Sequence, residues 1–212
     1  MKRFLTALGL LALVGPASAQ VGVVPQLGLT TAYLPKTTYS AAFYGLVPAA
    51  SATDVLCIAG STSKTVRLQR MVLTGSAGTA VNVPINIVRR VSLNTGTVAL
   101  TTYNPNNTIA KRDTTSATAT ATLSSFNTTG GNPTIVDTSP TYLDTGVLIL
   151  PLTSSAGLGS PLIFDWSRDI ENLLQVPTIA PAATVVGEIC ANFTSVSITS
   201  GVVNGSITWT EE

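Results

Sequence analysis

Apolar and polar residues alternate over short stretches of this chain, the stretches are separated by Gly, Pro, Asn and Ser, and sustained helical spacing is missing beyond residue 20. A period of two puts successive side chains on opposite sides of a pleated strand, so the pattern predicts β-structure throughout. The clearest case is residues 81–91. Val81, Val83, Ile85, Ile87 and Val91 share one phase, Asn82, Pro84, Asn86 and Arg90 the other, and Val88 alone is out of step. Pro84 has no N–H to give, which predicts an edge strand or a bulge at that point. Upstream, Val66 and Leu68 lie in one phase and Met71 and Leu73 in the other, predicting a bulge near Gln69 and Arg70. Gly75-Ser76-Ala77-Gly78 then reads as a hairpin turn between these two runs. Near the C-terminus, Asn204-Gly205 separates two alternating runs and suits a type I′ turn. That turn sets Val202 opposite Ile207 and Ser200 opposite Trp209, with Val196, Ile198, Val202, Ile207 and Trp209 on the core face.

Further strands are expected over 39–45, 54–60, 98–103, 117–125, 145–151, 161–166, 173–179 and 187–193. The total of roughly a dozen exceeds a minimal immunoglobulin domain and suits an all-β, jelly-roll-like two-sheet β-sandwich. Residues 117–122 alternate Ala and Thr, which fits a strand packing small methyls against a neighbour. Residues 104–116 and 127–141, rich in Asn, Thr, Ser, Gly and Pro, are expected surface loops. No repeat of solenoid length occurs.

The N-terminus changes the picture. Lys2 and Arg3 precede a short apolar run, Phe4 to Val14, and Ala17-Ser18-Ala19 supplies a small-residue cleavage site. This combination reads as a signal peptide over residues 1–19, so the mature protein is expected to be exported, periplasmic or extracellular. The run is too short for a comfortable bilayer crossing and no later segment is long and uncharged enough, so no permanent membrane span is expected. Residues 20–38, with Pro25 and Pro35, read as an extended N-terminal arm, and residues 39–212 as one β-sandwich domain.

Composition narrows the function classes. Lys and Arg number 11 against 10 Asp and Glu, two of the cations lie in the leader, and charged residues make up 10% of the chain. Nucleic-acid binding driven by counterion release needs clustered cations, so no nucleic-acid partner is expected. So sparse a charge favours assembly over repulsion. Histidine is absent, which removes Ser-His-Asp and Cys-His catalysis and the commonest metal ligand. The two cysteines, Cys57 and Cys190, each sit in an apolar strand-like segment. A disulfide between them and two separate buried thiols are both open readings.

Other candidates have bland counterparts. Asp165, Asp169 and Glu171 form the densest acidic cluster, yet their spacing matches no calcium loop and Arg168 lies among them, so a solvated loop with an ion pair is the expectation and no metal or cofactor is assigned. Asp137 and Asp144 would serve as a paired acid and base for glycoside hydrolysis only if the fold set them side by side. Tyr103, Phe126 and Tyr142 lie near expected loops and are the candidate contact residues for a sugar or partner. Sequons at Asn106, Asn127, Asn192 and Asn204 are matches that so Thr- and Ser-rich a chain produces by chance.

Residues 39–61, YSAAFYGLVPAASATDVLCIAGS, continuing through KTVRLQR at 64–70, resemble the opening of a β-sandwich family found among structural genes of tailed phages and prophages. The close at 206–212, SITWTEE, is similar to that family's ending, and IVRR at 87–90 and LIFD at 162–165 keep the expected order between them. The resemblance implies a non-enzymatic, virion-associated structural or decoration protein. It carries no active-site residues. Self-association is expected, with a closed trimer as the arrangement and a capsid or tail surface as a further partner. The export signal departs from that family, whose virions assemble in the cytoplasm. The alternative is a secreted bacterial adhesin or carbohydrate-binding β-sandwich module acting through its loops.

Overall fold

Alternation along the chain becomes twelve strands in the computed structural model, which describes residues 36–47, 53–95, 98–99, 109–125, 134–135, 137–153, 159–167, 178–180, 187–194, 198 and 201–212. They are β1 (Thr37–Leu46), β2 (Thr53–Ala59), β3 (Val66–Ser76), β4 (Val81–Arg90), β5 (Val98–Ala99), β6 (Ala110–Lys111), β7 (Thr122–Ser125), β8 (Thr141–Leu150), β9 (Leu162–Asp165), β10 (Thr178–Ile179), β11 (Glu188–Phe193) and β12 (Val202–Glu211). Among the described residues there is no helix, and so none long and apolar enough to cross a membrane. The leader and residues 20–35 of the expected arm lie outside the described residues. β1 already begins at Thr37, so the last positions assigned to the arm belong to the sandwich.

Among the described residues every strand pairing is antiparallel, and the strands form two six-stranded sheets. In the first, the order is β6-β1-β12-β3, with β9 and β10 sharing the far side of β3; in the second it is β5-β7-β2-β11-β4-β8. The chain changes sheets at each step from β1 to β4, and β11 and β12 return between those strands. The inner orders β1-β12-β3-β9 and β2-β11-β4-β8 are those of a jelly roll. Residues between β4 and β8 supply β5, β6 and β7, which extend the sheets beyond β2 and β1.

The core lies between the sheets. Tyr39, Phe43, Leu68, Met71, Leu73, Ile207 and Trp209 enter from the first, and Leu56, Ile58, Ile85, Ile87, Leu148, Ile189 and Phe193 from the second. Each such side chain gains about 1.5–3 kcal/mol from full burial. Trp209 and Tyr39 face each other across β12 and β1 and stack with ring centroids 5.7 Å apart.

Several local expectations change once pairing is known. Asn204-Gly205 is not a turn, because β12 runs through it unbroken. Gly205 answers to close packing: a Cβ there would lie 1.9 Å from the Val72 carbonyl oxygen and 2.8 Å from the Phe43 ring. Asn204 Oδ1 accepts the Gly45 N–H at 2.8 Å, where β1 bulges and Gly45 has φ 70°. Val202 accordingly pairs with Ser76 and Ile207 with Met71, and Val203 replaces Val202 on the core face. Ile198 packs partly against the core, while Val196 and Ser200 lie outside the described residues.

Gly75-Ser76-Ala77-Gly78 is likewise not a hairpin. It passes from the first sheet to the second, and the Ala77 N–H donates to Pro151 O at 2.9 Å beside the end of β8. Pro84 lies neither on an edge strand nor at a bulge, since β4 sits between β11 and β8. Its lost donor costs little because β11 ends at Phe193, opposite Ile85, and the Pro84 carbonyl accepts the Thr194 N–H at 3.2 Å. Residues 117–121 are irregular, and β7 starts only at Thr122. The bulge near Gln69 is present: Thr208 pairs with Arg70 and Trp209 with Leu68, so the extra Gln69 brings both apolar phases of β3 inward. Val88 is out of step because it is an apolar residue in the outer phase of β4, where it packs against Cys57 and Cys190; the β4–β8 register shift beside it places its extra residue, Leu143, on β8.

Candidate functional site

The outer face of the second sheet carries a buried polar cluster built by strand register. Cys190 of β11 stands opposite Cys57 of β2 and Val88 of β4; Glu188 stands opposite Arg90, and Asn192 opposite Asp54 and Asn86. Directly opposed residues share a face, so these side chains form one patch. Cys57 and Cys190 are joined as a disulfide, with Cα atoms 4.1 Å apart. Residues 91–95, 134–135 and 137–140 lie over the patch. Thr95 and Thr134 exchange both backbone hydrogen bonds, and the Val91 N–H donates to Asp137 Oδ2 at 2.9 Å.

At the centre, Arg90 forks onto Asp54. Nε donates to Oδ2, Nη2 donates to Oδ1 at 2.8 Å, and both side chains are fully buried. Asn94 Nδ2 donates to Asp54 Oδ2 at 2.6 Å, and Asn192 Nδ2 to Oδ1 at 2.7 Å. Arg90 Nη1 also reaches the Asp137 carbonyl at 2.6 Å. A buried pair so completely hydrogen-bonded holds its place, and removal of one partner costs about 3–5 kcal/mol. Glu188 Oε1 accepts the Asn94 N–H at 2.8 Å. Burial pushes the Glu188 carboxyl up to about 7; the Asn94 amide and Arg90 pull against this, and the Asp54 charge adds to it. Asp137, at the surface, is held below the usual carboxylate range by the Val91 and Ser139 amides and by Arg90.

Beside the cluster, a pocket of about 290 Å³ has Val88, Arg90 and Asn192 along its base and Thr138, Pro140 and Tyr142 at its rim. Tyr142 is 68% exposed. It belongs to β8, an edge strand of the second sheet, whose Val147 and Ile149 are also exposed on the outer side. Asp144 is the single charged residue of that ten-residue strand. On the other side of β8, Asp144, Thr145, Arg70 and Asp165 line a shallow cleft of about 500 Å³ beside β9.

A second buried acid lies at the end of β12. Glu211 accepts the Thr120 and Ala121 N–H groups at 2.9–3.0 Å, the Thr120 hydroxyl at 2.7 Å and Trp209 Nε1 at 3.1 Å. Burial raises its carboxyl, but these donors outweigh burial and hold it below the ordinary value. They also tie residues 117–121 to the sandwich, helped by the Tyr39 hydroxyl, which donates to Ala117 O at 2.9 Å. Burial, and then the Glu211 charge, raise the Tyr39 hydroxyl.

The residues singled out from the sequence fall in different places. Cys57 and Cys190 meet in the cluster, and Tyr142 stands exposed at its pocket, while Tyr103 and Phe126 lie outside the described residues. Asp165 accepts the Ser167 N–H at 3.0 Å and lies 3.9 Å from Arg70; Arg168, Asp169 and Glu171 lie outside the described residues. Asp137 and Asp144 are not brought into one site. Asp137 serves the segment over the cluster, and Asp144 accepts its neighbour's N–H, that of Thr145, at 2.8 Å and faces the cleft. Of the sequons, Asn192 is committed to Asp54 and Asn204 to Gly45, and Asn106 and Asn127 lie outside the described residues. Sequence reasoning missed Asp54, Arg90, Asn94, Glu188 and Glu211. The available signal was an acid inside an apolar strand, Asp54 in a strand whose seven residues are all buried.

Compared with known proteins, no family model, no curated protein and no solved structure matches this chain. Its class rests on architecture alone: an all-β jelly-roll sandwich with a disulfide-bearing polar cluster on the outer face of one sheet.

Proposed function

We propose that this is a non-enzymatic, exported structural protein of the phage-like virion-associated or decoration type, acting through protein–protein contacts and self-association. The observation that carries the reading is the outer side of β8. It is a ten-residue strand at the edge of its sheet, with Tyr142, Val147 and Ile149 exposed and one charge along its length. Edge strands of monomers are normally blunted by charge, proline or a covering segment, because they present unpaired backbone groups to any neighbour. A long apolar edge is the feature of a surface made for contact. The sparse charge of the chain supports the same reading. So does the commitment of buried Asp54 and Glu211 to several donors each.

Light scattering coupled to size exclusion tests this on the mature protein. The wild type is expected as a homo-oligomer, a trimer if assembly closes, and Val147→Lys with Ile149→Lys as a monomer with an unchanged melting temperature. A wild type that stays monomeric over a wide concentration range removes the proposal. One observation favours a second reading, a carbohydrate-binding module. Tyr142 stands exposed over a pocket floored by Asn192 and Arg90, a stacking face beside polar groups. Glycan-array binding that disappears in Tyr142→Ala would select it, and an array without hits would eliminate it.

A further inference from the structure

The cluster on the second sheet holds more ligand-type groups than its disulfide uses. Asp54, Cys57, Glu188 and Cys190 each bring a sulfur or a carboxylate oxygen to within 4.8 Å of one another, and all four residues are buried. Asp54 is spent on Arg90, Asn94 and Asn192. Glu188 is far less committed, accepting the Asn94 N–H through Oε1. Asn94 itself is only 7% exposed, and its Oδ1 has no hydrogen-bond partner among the described residues. Its Nδ2 lies 3.7 Å from the Cys57 sulfur and 3.8 Å from that of Cys190. Two sulfurs and a carboxylate therefore meet at one buried point, with the Asn94 Nδ2 beside both sulfurs and its Oδ1 idle.

We propose that Cys57, Cys190 and Glu188 form a redox-gated site for a thiophilic divalent cation such as zinc, closed while the bridge is formed and open when it is reduced. Zinc takes four ligands with Zn–S bonds of about 2.3 Å, which sets two tetrahedral thiolates about 3.8 Å apart. The Cys57 and Cys190 Cα atoms are 4.1 Å apart, so side-chain rotation reaches that spacing without moving β2 from β11. Glu188 supplies the third ligand, and Asn94, whose Nδ2 now faces the sulfurs, supplies the fourth by turning its idle Oδ1 toward them. The paired thiolates select zinc over magnesium or calcium. Neighbouring Arg90 and Asp54 neutralise each other, so the cation answers only the charge of its own ligands.

The chemistry balances with a phosphine as reductant. The S–S bond breaks, phosphorus takes the oxygen of one water and is oxidised to the phosphine oxide, and the two water protons finish on the two sulfurs. Zinc then displaces those two protons as both Zn–S bonds form. In either state β2 stays tied to β11.

The experiment titrates the full chain, bridged or phosphine-reduced, with Co²⁺ alone and then with Zn²⁺, while the β-sheet circular dichroism is followed. Reduced protein is expected to bind one ion per chain and to show a thiolate-to-cobalt charge-transfer band that zinc abolishes; bridged protein shows none. Glu188→Gln weakens zinc binding at least about tenfold, and the double variant Cys57→Ser, Cys190→Ser shows no band. Equal binding by both redox forms, a band surviving in the double serine variant, or unchanged affinity in Glu188→Gln overturns the proposal. A reduced chain that loses its sheet spectrum and does not regain it with zinc overturns it as well.

Discussion

Glu188 and Glu211 are both almost completely buried glutamates at strand ends, yet their surroundings drive them in opposite directions. Glu211 meets two backbone N–H groups, a hydroxyl and an indole N–H, and its charged form is favoured. Glu188 meets the Asn94 N–H with Asp54 nearby, and its neutral form is favoured up to about pH 7. Burial is common to both, so the balance of donors against neighbouring charge decides the sign. Glu211 fastens residues 117–121 to the end of β12, which suits a permanent charge. Glu188 sits beside two sulfurs with little to hold an ionised carboxylate.

The largest test of this contrast removes a donor set outright. Arg90→Met leaves Asp54 buried without its cation, and denaturant unfolding is expected to show a loss of about 3–5 kcal/mol. Restoring most of that stability by adding Asp54→Asn would show that the stranded charge, and not lost packing, is the cause. Next comes Glu211→Gln, which keeps the shape but gives up charge-assisted acceptance, at an expected cost of about 1.5–3 kcal/mol near neutral pH. Because the folded Glu211 carboxyl lies below its ordinary value, its stabilisation is present above the ordinary carboxylate range and is lost as pH falls through the folded value. The variant should lack that acid dependence.

A pH-dependent effect is expected at Glu188 in the bridged protein. Its folded carboxyl is raised from the ordinary 4.5 to about 7. The stability linked to its proton is therefore complete below the ordinary range and declines as pH rises through about 7. Melting temperatures of wild type and Glu188→Gln, measured from pH 4 to 8, should show a decline in the wild type that is absent in the variant. Identical slopes would mean that Glu188 is as well solvated as a surface acid.

Some of this was legible along the chain. The alternation from Val81 to Ile87 marked a strand with one inward face, and the change of phase between Leu68 and Met71 marked the bulge at Gln69, because both are local consequences of the pleat. Asn204-Gly205 misled, since a dipeptide that suits a turn is also one that tolerates close backbone approach. Which of the two applies depends on the Val72 carbonyl and the Phe43 ring, 133 and 162 residues upstream of Gly205. Asp54, Glu188 and Asn94 carried no motif, because they are single polar residues scattered over three segments that only the pairing of β2, β11 and β4 brings together.

By itself the sequence determined the kind of element and the phase of its faces, since residue size, branching and alternation act within a few residues through backbone geometry. Tertiary structure decided which strands are neighbours, that Cys57 faces Cys190 across 133 positions, and that one glutamate is ringed by donors and the other nearly bare. Those outcomes arise from long-range pairing and from the packing of two sheets, where the partners of a residue are set by the fold around it and not by its neighbours in the chain.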